Sequence, residues 1–388
     1  MRPETIPLIP LTGSAYERGR THGAVCADEI HQMLAAWGRH IGPPGASTDA
    51  YREAFRSRTN FLKGFEEHAP HLIDELRGIA DGARAPFEQI LDLQLLDEEW
   101  WFRQLYPHAL AAVPHHCSAL ALRTPGGGVL VAQNFDGASW MEGYQRVFHH
   151  RDPVSGFDAL IFTLPGILAL TGINRQGVAV CVNSLVQLDG DPSGLPVVGV
   201  IRRLLESDDQ AAAISTLRSV RHASGQAYTI GDHEAFGAYE ASRSSIIEVS
   251  PAPGRQAVCH TNHPLTNPDR ALFTQATAGD TPERRLARTA NSAARLAALE
   301  RGLDDAHAFS VEGVKTLLGS RENPDHPLSR ELGSGGEVID YTLACVVFEP
   351  GPPARMHLAA GPPSTTRFRS FVCDGGVAPL QGSQHDRL

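Results

Sequence analysis

Up to about residue 106, apolar positions recur every three or four residues, the period of a helix buried on one face. Residues 6–12 read as a short extended start. Ser14, with Glu17 three residues on, reads as a capping box. The helix it opens is expected to run through Ala24–Gly38. Gly19 and Gly23 lie four apart on one of its faces, which allows another element to come close. After a loop at Gly42–Ser47, helices are expected over Tyr51–Glu67 and His71–Gly82, and from Pro86 to Trp100 and Trp101. The Trp pair reads first as core packing and second as the lining of an apolar substrate pocket.

Beyond an irregular lead at Pro107–Pro114, the period shortens to that of strands. Strands are expected over 145–150, 160–164, 168–173, 178–184, 226–231, 235–241, 246–250 and 257–264. Helices at 196–205, 209–220, 281–301 and 311–318 are set among them, and a last hairpin joins Tyr341–Glu349 to Arg355–Ala360. Helices first, then strands paired through short turns, favour an α+β fold in one folded domain.

Polar residues that close apolar strands are the places to look for chemistry. Residues 117–123 and 129–136 form a hairpin around Thr124-Pro125-Gly126-Gly127-Gly128. A hairpin sets its far ends side by side, so the Cys117 thiol and the Asp136 carboxylate should be neighbours. Asn183 and Asn262 close two other strands, and Asn134 lies two residues before Asp136. A nucleophilic thiol needs a base and donors for the oxyanion of acyl transfer. An Asn amide can be such a donor. His115 and His116 are adjacent to Cys117, but neighbours on a strand point to opposite faces, so His116 is a poor base. An α-amine freed by a cut between His116 and Cys117 suits better, with an ordinary pKa of about 7.7–8.0. The plain readings are a buried structural thiol at Cys117, a turn-forming Asp136 before Gly137, and an Asx turn at Asn262. Cys259-His260-x-x-His263 is not expected to bind metal, because alternation sends its first two residues to opposite faces.

The 388 residues are 42% hydrophobic and 20% charged, ordinary for a globular enzyme. The net charge of -10, with no basic run, argues against nucleic acid. No apolar run suits a membrane span. Six scattered cysteines without a C-x-x-C pair suggest reduced thiols and a cytoplasmic protein. Lys63 and Lys315 are the only lysines; this Arg bias, with abundant Ala, Gly and Pro, suggests a bacterial genome rich in GC.

Seven segments, in order, carry a resemblance over nearly the whole chain: 13–23, 75–83, 117–136, 172–180, 233–237, 260–263 and 361–363. The chain resembles the acyl-coenzyme A:6-aminopenicillanic acid (isopenicillin-N) acyltransferase family, also classed as the C45 peptidases, within the N-terminal-nucleophile hydrolases. The resemblance implies a four-layer αββα sandwich and autocatalytic cleavage just before the cysteine. Residues 1–116 would be a light chain and 117–388 a heavy chain of the same precursor. It implies Cys117 as nucleophile, its freed amine as base and Asn262 as oxyanion donor. Asp136 would orient the amine and assist processing, with Asn183 and Asn134 in support. The expected substrate is a small-molecule or peptide amide, cut at its C–N bond through a Cys117 thioester. No cofactor is expected; acyl-coenzyme A is a candidate co-substrate. Two departures stand out. His116 replaces the family's usual Gly. Residues 335–340 lack the Arg of penicillin-forming members, and Arg330 lies upstream. The competing reading is an uncleaved, non-catalytic member that binds an acylated peptide or metabolite.

Overall fold

A computed structural model of the chain describes residues 6–42, 47–103, 117–252, 254–333 and 340–373. His115, His116, Pro107–Pro114, residues 335–339 and the C-terminal 374–388 lie outside them. The chain opens with β1 (Leu8–Thr12), α1 (Ala15–Val25), α2 (Ala27–His40), α3 (Thr48–Arg58) and α4 (Phe61–His68). Then come α5 (Pro70–Ala83), α6 (Phe87–Leu93) and α7 (Leu96–Arg103). The strands β2 (Ser118–Arg123), β3 (Val129–Ala138), β4 (Arg146–Arg151), β5 (Asp158–Thr163), β6 (Thr171–Asn174) and β7 (Ala179–Ser184) follow. After α8 (Val197–Leu204) and α9 (Gln210–Ser219) come β8 (Gln226–Gly231), β9 (Phe236–Ala241), β10 (Ile246–Val249) and β11 (Ala257–His260). The chain ends with α10 (Ala271–Ala276), α11 (Pro282–Gly302), α12 (Val311–Leu318), β12 (Asp340–Glu349), β13 (Ala354–Ala359) and β14 (Arg369–Cys373).

The strands make two sheets. One runs β1-β4-β5-β6-β7-β8-β9-β10, the other β11-β2-β3-β12-β13-β14. Every neighbouring pair is antiparallel except β1 with β4. The sheets face each other, with β2 and β3 against β7 and β8. On the outer side of the larger sheet, α1 packs on β1 and α9 on β8; α11 and α12 cover β11, β2, β3 and β12. The expected αββα layering is the observed one. Period-two patterning builds it: along β2, Ala119 and Ala121 enter the main core, while Leu120 and Leu122 meet the α11 and α12 side chains Leu299 and Leu318.

The expected capping box is present: Glu17 N–H donates to Ser14 Oγ (3.4 Å) and Ser14 N–H to Glu17 Oε2 (2.8 Å). The glycine face of α1 meets α5 almost backbone to backbone. A Cβ on Gly19 would stand 2.0 Å from the Glu75 carbonyl, and one on Gly78 2.2 Å from that of Tyr16. The buried Glu75 carboxylate then accepts from Arg202 of α8 (2.6 and 2.9 Å) and Arg18 of α1 (3.3 Å). Burial would raise its pKa, but the charges of Arg202, His150 and Arg18 and the Arg202 hydrogen bonds together outweigh burial and hold it well below the carboxylate range.

Several boundaries differ from expectation: the helix expected from Pro86 to Trp101 is two, α6 and α7, parted at Gln94 and Leu95, and β11 stops at His260, short of Asn262. The first helix breaks at Cys26, which ends α1 and starts α2. The two halves bury different faces, glycines in α1 and Ile30, Met33 and Trp37 in α2. The helix expected over Tyr51–Glu67 breaks at Thr59, whose hydroxyl bonds the Phe55 carbonyl (2.7 Å), and at Asn60, whose N–H bonds Pro192. The strand expected from 168 begins only at Thr171. Before it, Gln94 donates to the Gly166 carbonyl (2.7 Å) and accepts from Leu168 N–H (2.9 Å), so this stretch is held as a loop. Among the described residues, no helix is long and apolar enough to cross a membrane.

Candidate active site

The β2–β3 register pairs Ser118 with Asn134, which sets Asp136 just past the level of Cys117. The Cys117 thiol is buried and donates weakly to the Asp136 carbonyl at 3.8 Å. The expected hairpin is present, and the contact it makes is from the thiol to the Asp136 backbone carbonyl. Burial, and then the Asp136 charge, push the thiol well above its usual range. Asp136 is itself 5% exposed, and neither carboxylate oxygen has a full hydrogen bond. Its cross-strand partner Thr342 and the nearby Arg330 and Arg295 favour the charged form. Burial still wins, and the Asp136 pKa is pushed up to about 7. Among the described residues, no histidine hydrogen-bonds the thiol.

Asn262 follows β11 and is pinned on every side. Its N–H donates to Ser292 Oγ (2.7 Å), and its carbonyl accepts from Gln187 (3.2 Å). Its Oδ1 accepts from Arg295 (3.0 Å), which turns Nδ2 toward the Ser184 carbonyl (3.2 Å). One Nδ2 hydrogen remains for another acceptor.

Arg295 of α11 is the residue that sequence reasoning missed. Its guanidinium, fully buried, donates to the Cys117 carbonyl (2.6 Å), Ser118 Oγ (2.8 Å) and Asn262 Oδ1. Burial lowers its pKa to about 10. A faint signal exists: Ser292, Arg295 and Leu299 share helical spacing and form the buried stripe of the helix. Arg330, upstream of the region that lacks the family's Arg, carries charge toward both Asp136 and Asp340.

The supporting residues separate. Asn183, at the end of β7, is fully buried with both amide atoms unpartnered. Asn134 donates to the carbonyls of Leu318 and Leu328 (2.8 Å each). It therefore ties β3 to the outer helical layer, away from the thiol. His260 is occupied by Glu240 (2.8 Å) and the Thr261 carbonyl. A narrow apolar slot adjoins the end of β3, walled by Leu96, Trp100, Phe135, Leu164, Val182 and Ile201. Its far wall is the loop that Gln94 holds. Trp101 is core and Trp100 lines the slot, so each reading of the pair describes one member.

Four layers, with a buried cysteine just before a central strand, make the αββα sandwich of the N-terminal-nucleophile hydrolase type. Residues 123–363 match the model of the acyl-coenzyme A:6-aminopenicillanic acid acyl-transferase family. The chain belongs to that family. It is 27% identical over 263 residues to the acyl-coenzyme A:6-aminopenicillanic-acid-acyltransferase 40 kDa form of Emericella nidulans, covering 67% of this chain and 70% of that one. Among solved structures it is similar to a Caenorhabditis elegans N-acylethanolamine-hydrolyzing acid amidase ortholog, with 14% identity, TM-score 0.41, and coverage of 61% and 93%. A penicillin V acylase from Agrobacterium tumefaciens gives 14%, 0.42, and coverage of 67% and 86%.

Proposed function

We propose that the chain is a self-processing cysteine amidohydrolase or N-acyltransferase. The observation that carries this is the buried Cys117 thiol beside Asp136, a carboxylate poised near pH 7. In the uncut chain, Asp136 takes the thiol proton and sulfur attacks the His116 carbonyl carbon. The C–N bond breaks, and the Cys117 nitrogen leaves as an amine carrying that proton. Water opens the thioester, which frees the thiol and leaves a carboxylate on His116. The light chain 1–116 and heavy chain 117–388 stay together.

In turnover, the freed amine takes the thiol proton and sulfur attacks the substrate amide. The unspent Nδ2 hydrogen of Asn262 donates to the oxyanion. Asp136 holds the ammonium, which returns its proton to the leaving amine. Water or an incoming amine then resolves the Cys117 thioester, as hydrolase or transferase. The E. nidulans relative is named for acyl-coenzyme A and 6-aminopenicillanic acid. From it we extend only the class, a small-molecule acyl amide, with acyl-coenzyme A as candidate donor and no resident cofactor.

Intact mass and N-terminal sequencing of purified protein test the reading. Two fragments are expected, one beginning at Cys117. Cys117→Ala should remain one chain and lose turnover. An active preparation that is a single uncut chain refutes processing. The second reading, an uncut binder, draws on the strongly suppressed acidity of the same thiol. It requires an intact chain that binds ligand and never forms a thioester.

A further inference from the structure

The slot at the end of β3 is apolar except for Gln94, Asp97 and Asp136, and among the described residues no cationic residue lines it. Gln94 offers a ligand nothing. Its amide is spent on the Ile90 and Gly166 carbonyls and on the Leu168 N–H. Asp136 is taken up by the chemistry above. Asp97 is different. It stands in the first turn of α7, half-buried, and one oxygen accepts from Ser184 Oγ (2.5 Å) and Gln226 Nε2 (2.9 Å). Among the described residues, its other oxygen has no protein donor. A carboxylate held in an apolar slot gains most from a cation, because a charge stripped of water needs a partner.

The position of Asp97 restricts where that cation lies. Asp97 and Asp136 line the same slot, and the Cys117 thiol contacts the Asp136 carbonyl at 3.8 Å. The cation therefore lies close to the scissile carbonyl. The same Ser184 that donates to Asp97 accepts from Asn262 through its carbonyl (3.2 Å), so the carboxylate and the oxyanion donor are held by one residue. A narrow slot walled by buried side chains suits the half of the substrate that stays on the enzyme as a thioester. The leaving amine must exchange with solvent.

Resting on the Cys117 reading, we infer that the slot takes the acyl half of an amide built on an apolar α-amino acid, whose free α-ammonium pairs with Asp97. The acyl side chain fills the apolar walls. Asp97 is then the residue that sets acyl specificity.

The test compares ligands that differ only in the ammonium: L-leucinamide against 4-methylpentanamide for binding, and the matching p-nitroanilides for turnover. Calorimetric binding to Cys117→Ala, which cannot react, should favour leucinamide by roughly tenfold or more, the size of one hydrogen bond to a charged group. Adding Asp97→Asn should abolish that preference while 4-methylpentanamide binds as before. In the reactive protein, Asp97→Asn should lower kcat/KM for the leucyl anilide and leave that of the 4-methylpentanoyl anilide within about threefold. Equal binding of the two amides by Cys117→Ala overturns the inference. So does an equal loss of both turnover rates in Asp97→Asn, since Asp97 would then act on the Cys117 amine. A binding preference that Asp97→Asn removes, without turnover of either anilide, upholds the subsite and instead sinks the Cys117 mechanism.

Discussion

Glu98 lies directly behind Asp97 and gives a quantitative test of the electrostatics at this end of the molecule. It is fully buried. One oxygen accepts from the Val197 N–H (3.0 Å) and the Ser224 hydroxyl (2.8 Å); the other has no partner. Burial, and then the Asp97 charge, push its pKa from 4.5 up to about 8. Between those pH values the folded chain keeps a proton that the unfolded chain has released. Stability is therefore lost as pH rises through the window, at up to about 1.4 kcal/mol per pH unit. Over the whole window, roughly three and a half pH units, the loss approaches about 5 kcal/mol. Glu98→Gln keeps the acceptor and removes the titration. Other groups titrate alike in both proteins and cancel in the difference. Urea unfolding of both proteins at pH 6.0 and 7.5 should find the variant gaining about 2 kcal/mol on the wild type across that interval. A stability difference that is the same at both pH values would refute the reasoning.

Glu75→Gln should destabilise the fold by about 3–5 kcal/mol, since Arg202 and Arg18 would stay buried without their countercharge; a midpoint unchanged in urea would contradict this. Arg295→Lys keeps a charge but cannot span the Cys117 carbonyl, Ser118 and Asn262 together. It should fold and lose about 10²-fold in kcat through misplacement of the nucleophile and the oxyanion donor. Single-turnover kinetics on the variant measure this, and a loss under twofold would rule out the positioning role.

What was legible in the sequence was local. The capping box at Ser14 and the Gly19/Gly23 face involve residues three or four positions apart, and the Cys117–Asp136 hairpin closes over 19 through one tight turn, so their geometry follows from helix or strand period. The breaks at Cys26 and Asn60 were hidden because partners distant in the chain set them, such as the Pro192 carbonyl that takes the Asn60 N–H. The late start of β6 had the same cause, since Gln94 captures the preceding backbone from 74 positions away. Asn134, two residues before Asp136, was expected to support the site, but its amide is taken by the Leu318 and Leu328 carbonyls, partners more than 180 positions away. Arg295 was the largest omission. It meets Cys117 across 178 positions, and on a helix rich in arginine its identity alone singles out nothing.

That arginine also bears on how the same residue could serve two chemical steps. The hydrogen bonds that fix Cys117 fall on its C-terminal side: its own carbonyl and the Ser118 hydroxyl are held by Arg295, and Ser118 is already paired in the sheet. The thiol contact, to the Asp136 carbonyl, also belongs to the part of the chain after the cut. Asn262, Ser184 and Asp97 are joined to one another without passing through the Cys117 nitrogen. A cut at His116–Cys117 would therefore free that nitrogen while leaving in place the contacts that aim the sulfur and orient Asn262. A thiol anchored from behind can use one carbonyl in front of it as its first substrate and then accept others in the same geometry. Catalytic preorganisation of this kind adds no rearrangement to the barrier of either step.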